Sequence, residues 1–213
     1  MKIASLALTA VIGSAAASHA GGPLAVETDP APAAEFAPLA VHDWSGAYIG
    51  LGYGKSRGSQ ATATTTGAVF DFNSGSVAGF HLGYLFQSGN LVYGAELARL
   101  TYNDVNFVGA PIFQMETTTD LKGRLGYAWN RLEVHGILGY STGEFGSSLP
   151  AVSASYSPKG ASYGLGLDYA ATERVSIGVE YLARRMQGDR PNPTASDVDF
   201  DMNTLSLRVG LSF

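Results

Sequence analysis

The stretch that most constrains this chain is its last fifteen residues, Asp199 to Phe213. From Leu205 onward the odd positions are Leu205, Leu207, Val209, Leu211 and Phe213, all apolar, while the even positions are Ser206, Arg208, Gly210 and Ser212. Period two without an exception is the mark of a β-strand with one apolar and one polar face. A register slip of one residue would exchange the faces and turn Arg208 to the apolar side, so the pairing is well specified. The sequence then stops on Phe213, an aromatic end that gains nothing by exposure to water.

A membrane suits such a strand. With the apolar face in lipid, the slipped register would cost roughly 2–4 kcal/mol for an arginine near the bilayer midplane. The bulk composition agrees: of 213 residues only 15% are charged, against about 25% in soluble domains. Lipid-facing positions exclude charge and account for the deficit. The formal charge of −5 argues against nucleic acid as a partner, which needs a basic footprint. The absence of cysteine removes disulfides and thiolate metal sites, and no cofactor or metal is expected.

The N-terminus supplies the compartment. Met1-Lys2, an apolar run from Ile3 to about Ala17, and Ser18-His19-Ala20 together have the form of a secretory signal peptide over residues 1–20, with cleavage expected after Ala20. The run is shorter than the ~20 residues that a spanning helix needs. Residues 21–43, rich in Ala and Pro with acids at Glu27, Asp29, Glu35 and Asp43, follow neither period and are expected to be a periplasmic linker.

From Trp44 to Phe213 the chain alternates. Strands are expected at Trp44 to Arg57, Phe72 to Gln87, Leu91 to Tyr102, Thr117 to Trp129, Arg131 to Gly143, Tyr156 to Tyr169, from after Glu173 to Met186, and at the C-terminal stretch. Three connections are short, near Ser88 to Asn90, Trp129 to Asn130 and Ala170 to Glu173. Four are long, about 58–71, 103–116, 144–155 and 187–198. Short turns on one side and long loops on the other fit an eight-stranded barrel whose short turns face the periplasm. Phe86, Tyr93, Tyr127, Trp129, Tyr169 and Phe213 gather at the short-turn side as an interfacial girdle would. A soluble lipocalin-like barrel would also alternate, but the low charge, the aromatic belt and Phe213 oppose it.

Four stretches carry a resemblance. Asp43-Trp44-Ser45-Gly46-Ala47-Tyr48-Ile49-Gly50, Tyr93-Gly94-Ala95-Glu96, Leu121-Lys122-Gly123-Arg124-Leu125-Gly126-Tyr127 and the C-terminal strand resemble the small porin or opacity-type outer-membrane β-barrel family of Gram-negative bacteria. The family usually has an aromatic after Asp-Trp-Ser-Gly, where this chain has Ala47. The resemblance implies an all-β, eight-stranded, antiparallel, up-and-down transmembrane barrel in the cell outer membrane. It implies no single activity, since members serve as structural proteins, adhesins and occasionally small pores. The C-terminal alternation, Leu205, Leu207, Val209, Leu211 and Phe213, is similar to the signal read by the barrel assembly machinery, which is thereby an expected partner.

The polar parity set includes Glu96, Lys122, Arg124, Glu133, His135, Asp168, Glu180, Arg184 and Arg208. In a barrel of eight strands, just wide enough for side chains to fill, these are expected to be an interior ion-pair network. Glu96 can meet Lys122 or Arg124 from a neighbouring strand, and Glu180 can meet Arg208. The main expectation is a charge-paired plug in a structural, envelope-integrity or surface-interaction protein; the alternative is a narrow gated pore for ions or small solutes whose gate is this network.

No catalytic site is expected. Neither His81 nor His135 has a serine two residues on, as a barrel lipase of the lipid A deacylase kind would have. Gly50-x-Gly52-x-Gly54 lacks the helix of a dinucleotide motif. Asp197-Val198-Asp199-Phe200-Asp201 opens like a calcium loop, but Met202 and Arg208 stand where that loop needs glycine and glutamate. Of the outer-end arginines, Arg185 and Arg190 are expected to contact lipopolysaccharide phosphates. The loops rich in Thr and Ser, Thr62 to Thr66 and Ser147 to Ser155, are the expected surface for an extracellular ligand.

Overall fold

The computed structural model describes residues 41–147, 157–188 and 197–213. The expected signal peptide, the linker through residue 40, most of the Ser147 to Ser155 loop and Arg190 lie outside the described residues. The long strands are β1 (Gly46–Ser56), β2 (Gly75–Ser88), β3 (Leu91–Asn103), β4 (Ala110–Trp129), β5 (Leu132–Ser147), β6 (Lys159–Ala170), β7 (Val175–Gly188) and β8 (Val198–Ser212). Each pairs antiparallel with the next, and β1 pairs with β8 from Tyr48 opposite Ser212 to Ser56 opposite Thr204. The ring is therefore closed, so each stave is paired on both sides through its middle, as a lipid environment requires.

Parity sorts the side chains. Leu51, Leu138, Leu165 and Leu207 point outward and are 64–74% exposed, whereas their strand neighbours face a filled lumen. From Leu205 to Phe213 the apolar face of β8 spans about 20 Å along the barrel axis, at ~3.4 Å per residue and a tilt near 40°. At the short-turn end the six girdle aromatics are exposed; Phe86 stacks on Tyr93 at 5.6 Å and Tyr127 lies 4.6 Å from Trp129. The tight turns there use positive backbone φ at Gly89 (61°) and Asn130 (53°), which glycine and asparagine tolerate best.

The long-loop end departs from the sequence reading. That reading leaves 103–116 as loop and starts the fourth strand at Thr117, yet β4 begins at Ala110 and β5 reaches Ser147. The reason is a bulge: the register of β4 against β5 shifts between Met115 and Thr117, so the alternation breaks there and the period appears to end. The first long connection is likewise not irregular. It contains a ribbon, Gln60–Ala63 paired with Val69–Asp71, and Gln60–Ala63 also pairs with Asp201 to Val198 of β8. β1 ends below that level, so the ribbon covers what would otherwise be an open edge of β8. Asn106–Phe107 pairs with β4, and Phe72 bridges to Phe107, which ties the first two long connections together.

Two buried apolar clusters lie toward the two ends of the lumen. At the short-turn end Trp44, Tyr48, Leu85, Val92, Ala128 and Ala170 form a floor against which Val41 packs. The approach to β1 is fixed there, since Trp44 N–H donates to Gln87 Oε1 (2.7 Å) and His42 N–H to the Asn130 carbonyl (2.8 Å). Ser45 donates to Asp43 Oδ1 from its hydroxyl (2.6 Å) and backbone N–H (2.9 Å), and these bonds hold the Asp43 carboxyl below the usual carboxylate range. At the long-loop end a larger cover, built around Phe72, Val77, Tyr102, Met115, Phe145, Met186, Phe200 and Met202, joins side chains of the staves to those of the ribbons.

Candidate functional site: the charged interior

Between the floor and the cover lies a layer of buried charge. Its cause is local: the charged residues share the inward parity of their strands, and many have small residues opposite them. Arg208 pairs in register with Gly52 and Gly178, Glu180 with Gly166 and Ser206, and His135 with Gly126 and Gly166. Where a neighbouring strand presents only hydrogen or a hydroxymethyl group, a long side chain has room to lie across the lumen.

Four residues form a closed ring of alternating charge. Glu96 of β3 and Lys122 of β4 are register partners, and Lys122 Nζ lies 2.5 Å from Glu96 Oε1. The same ammonium donates to both oxygens of Glu180 on β7, at 2.8 and 3.0 Å. Arg208 of β8 completes the ring, donating to Glu180 Oε2 from one terminal nitrogen and to Glu96 Oε2 from the other. Two carboxylates thus face two cations, each touching both opposite charges. The ring braces β3 and β4 against β7 and β8.

Arg124 of β4 is the centre of a second cluster. One terminal nitrogen reaches Asp168 Oδ2 (2.6 Å), Glu133 Oε2 (3.0 Å) and His135 Nδ1 (3.1 Å); the other reaches Glu96 Oε2 and Tyr48 OH, both at 3.3 Å. Tyr48 OH donates to Glu96 Oε2 at 2.6 Å, which joins this cluster to the ring. Higher up, Arg184 of β7 binds Asp120 of β4 through two bonds (2.8 and 2.6 Å), supported by Ser141 OH donating to Asp120 (2.6 Å) and Arg184 donating to Thr204 (3.0 Å). All nine residues assigned to the interior from sequence are buried, and each touches at least one other member of the layer or Asp120.

Asp120, Tyr48 and His81 belong to the same layer and were not assigned to it from sequence. For Asp120 the signal was available, because it shares parity with Lys122 and Arg124. Tyr48 reads as apolar by composition and gives no warning of its bond to Glu96. His81 is buried beside Tyr48, with ring centroids 6.0 Å apart.

Glu133, His135 and Asp168 have donor atoms within 4.8 Å of one another, a spacing that could hold a metal ion. The Arg124 guanidinium sits among them and supplies the positive charge there, so the geometry is that of an ion-pair cluster. Arg185 points outward, 3.7 Å from Asp201 and with its guanidinium 5.8 Å from the Tyr163 ring centroid.

The comparisons with known proteins agree with this architecture. A family model described as outer membrane protein beta-barrel domain matches residues 30–213. Among solved structures the chain is similar to Neisserial surface protein A, at 15% identity and a TM-score of 0.55, covering 79% of this chain and 98% of that one. It is also similar to outer membrane protein OprG from Pseudomonas aeruginosa, at 16% identity and a TM-score of 0.53, covering 79% and 96%. The N-terminal β-barrel domain of Pseudomonas aeruginosa OprF gives 15% identity and a TM-score of 0.50, covering 79% and 98%. These similarities are of fold. No curated protein sequence matches the chain significantly.

Proposed function

The chain belongs to the outer membrane protein β-barrel domain family, and from that premise we propose that it is a structural or surface-interaction barrel that neither conducts nor catalyses. One observation carries this reading: the lumen is filled in three successive layers. An apolar floor, the ion-paired layer and an apolar cover follow one another, and two cavities beside the charges, one along Glu96, Lys122 and Glu180 and one along Arg124 and Asp168, measure about 20 Å³ each. A space of that size holds about one water molecule, far short of a continuous water file. The ion pairs add to the seal, because separating a buried pair exposes an uncompensated charge at a cost of roughly 3–5 kcal/mol. A non-catalytic role is supported by the histidines, since His81 and His135 are both buried inside the wall and away from a lipid substrate.

The rest of the reading concerns export and partners. A cleaved signal peptide over residues 1–20 and assembly through the alternation from Leu205 to Phe213 account for how the barrel reaches the outer membrane. Arg185, exposed at the outer end of β7, has the position of a lipopolysaccharide contact, and the Thr- and Ser-rich long connections are the surface offered to an extracellular ligand.

A specific feature favours a gated pore as the second reading. Lys122 and Arg208 each have two carboxylate partners, so either can release one and keep the other. Single-channel recording of the full-length protein in a planar bilayer, beside Glu180→Gln, separates the two. The structural reading expects a silent membrane for both, with folding and insertion shown independently. Discrete openings that grow or become more frequent in Glu180→Gln would replace it with the gated pore.

A further inference from the structure

The outward face of β8 carries a cleft of about 470 Å³ that the interior does not explain. Its floor is Leu205 and Leu207, and its walls are Tyr53 of β1 on one side and Val179 and Tyr181 of β7 on the other. The lower part is apolar and stands within the lipid belt. The outer end is polar and tied in place by Asn203. The Tyr181 hydroxyl donates to Asn203 Oδ1 at 3.1 Å, Asn203 Nδ2 donates to the Gly58 carbonyl at 3.1 Å, and Arg57 N–H donates to the Asn203 carbonyl at 3.2 Å. Asn203 thereby links β7 to the segment that leaves β1 and fixes the backbone of Arg57 at the mouth of the cleft.

Two cations stand at that mouth. Lys55 and Arg57 line it, both are exposed, and neither side chain has a hydrogen-bond or ion-pair partner among the described residues. They differ from Arg99 and Arg185, outward arginines of the outer end among the described residues, which have Glu144 and Asp201 nearby at 3.5 and 3.7 Å. An apolar slot in the belt, topped by two unpaired cations at the outer leaflet, is complementary to a lipid with acyl chains and a phosphate in that leaflet.

We propose that this cleft binds the lipid A part of lipopolysaccharide, with one acyl chain between Tyr53 and Tyr181 over Leu205 and Leu207 and a phosphate held by Lys55 and Arg57. The proposal rests on the outer-membrane placement of the barrel and does not depend on whether the lumen conducts. It assigns a phosphate site that is separate from Arg185, since Lys55 and Arg57 leave β1 on one side of β8 and Arg185 lies on β7 on the other, beside Asp201.

The test is binding of bisphosphorylated lipid A to the folded full-length protein in detergent, followed by native mass spectrometry. Dephosphorylated lipid A and phosphatidylglycerol serve as competing probes, and the slower gel migration of the boiled protein reports folding. Lys55→Gln with Arg57→Gln is expected to weaken lipid A binding about tenfold, the scale of one or two lost charge-assisted bonds. Arg131→Gln, at the short-turn end where Arg131 pairs with Glu173, is expected to stay within about twofold of the unchanged protein. Leu205→Trp, which fills the slot and keeps both cations, should weaken lipid A and its dephosphorylated form alike. Unchanged lipid A affinity in the folded double variant would overturn the phosphate site. Equal affinity for phosphatidylglycerol would overturn the assignment to lipid A, and unchanged binding in Leu205→Trp would overturn the acyl slot.

Discussion

Arg124 shows how uneven the interior charges are. It contacts three carboxylates, Glu96, Glu133 and Asp168, and of these Asp168 is nearest at 2.6 Å. Around it, formally, stand more acids than bases, whereas the ring of Glu96, Lys122, Glu180 and Arg208 is balanced two against two. Removing one acid should therefore cost little beside Arg124 and more in the ring. Glu133→Gln is expected to lower unfolding stability by less than about 1 kcal/mol, since Arg124 keeps its other partners. Glu180→Gln is expected to cost about 3 kcal/mol, the low end for a buried pair that loses a partner, because Lys122 and Arg208 each retain Glu96. Reversible urea unfolding in lipid or detergent measures both, and a larger loss in Glu133→Gln than in Glu180→Gln would contradict the charge count. Space matters as much as charge. A methyl group on Gly166 would meet the His135 imidazole, whose Nε2 has no hydrogen-bond partner among the described residues. Gly166→Ala is expected to cost about 1–3 kcal/mol by overpacking. In a His135→Ala background the same change should cost less than about 1 kcal/mol, because the obstructing ring is gone.

At the scale of the strands, the two faces of each stave answer to different solvents. Leu207 is outward and 64% exposed near the middle of β8's apolar run, while the next residue, Arg208, is buried in the ion ring. Leu207→Arg is expected to cost roughly 2–4 kcal/mol in a bilayer, and Ser206→Ala, an inward change of small volume, well under about 1 kcal/mol. The fraction of heat-modifiable protein after refolding into vesicles reads the difference. The strands also show where alternation fails as a guide. It marked the membrane-crossing part of each stave, since every residue there meets either lipid or a filled lumen. It failed at the outer end of β4, where the bulge at Met115 to Thr117 breaks the period, and in 60–71, where short ribbon strands carry too few residues for a period to register.

As a whole, the barrel has two side-chain layers in series above its floor, and on the proposed function they act as two closures. The ionic layer lies in the middle and the cover of Phe72, Phe145, Phe200 and the methionines lies above it. The aromatic rings of the cover approach within 4.7 to 6.5 Å of one another, Phe72 to Phe107 being the nearest of these pairs that include Phe72. Phe72→Ala is expected to destabilise the barrel by about 3 kcal/mol and to leave the bilayer silent, because the charge ring below still fills the lumen. Only Phe72→Ala combined with Glu180→Gln should raise the frequency of openings in planar-bilayer recordings, if either closure alone suffices. Openings in Phe72→Ala by itself would mean that the ion ring does not seal.

The amino-acid sequence by itself determined the eight staves and the short and long ends, because alternation marks each stave and connection length marks each end; parity separated the two faces of a stave, and the low charge, the aromatic belt and Phe213 said which face meets lipid. It also pointed to the charges that must be buried. Partner choice was decided by the tertiary structure. Glu96 and Lys122 are register neighbours and could be matched from the chain, but Lys122 with Glu180, Arg208 with Glu96 and Arg184 with Asp120 meet across a closed lumen. Such contacts depend on barrel width, stagger and the glycines that give a side chain room, and these exist only once β1 has paired with β8. The cleft over β8 has the same origin, since Tyr53 and Tyr181 become its two walls only when the ring closes.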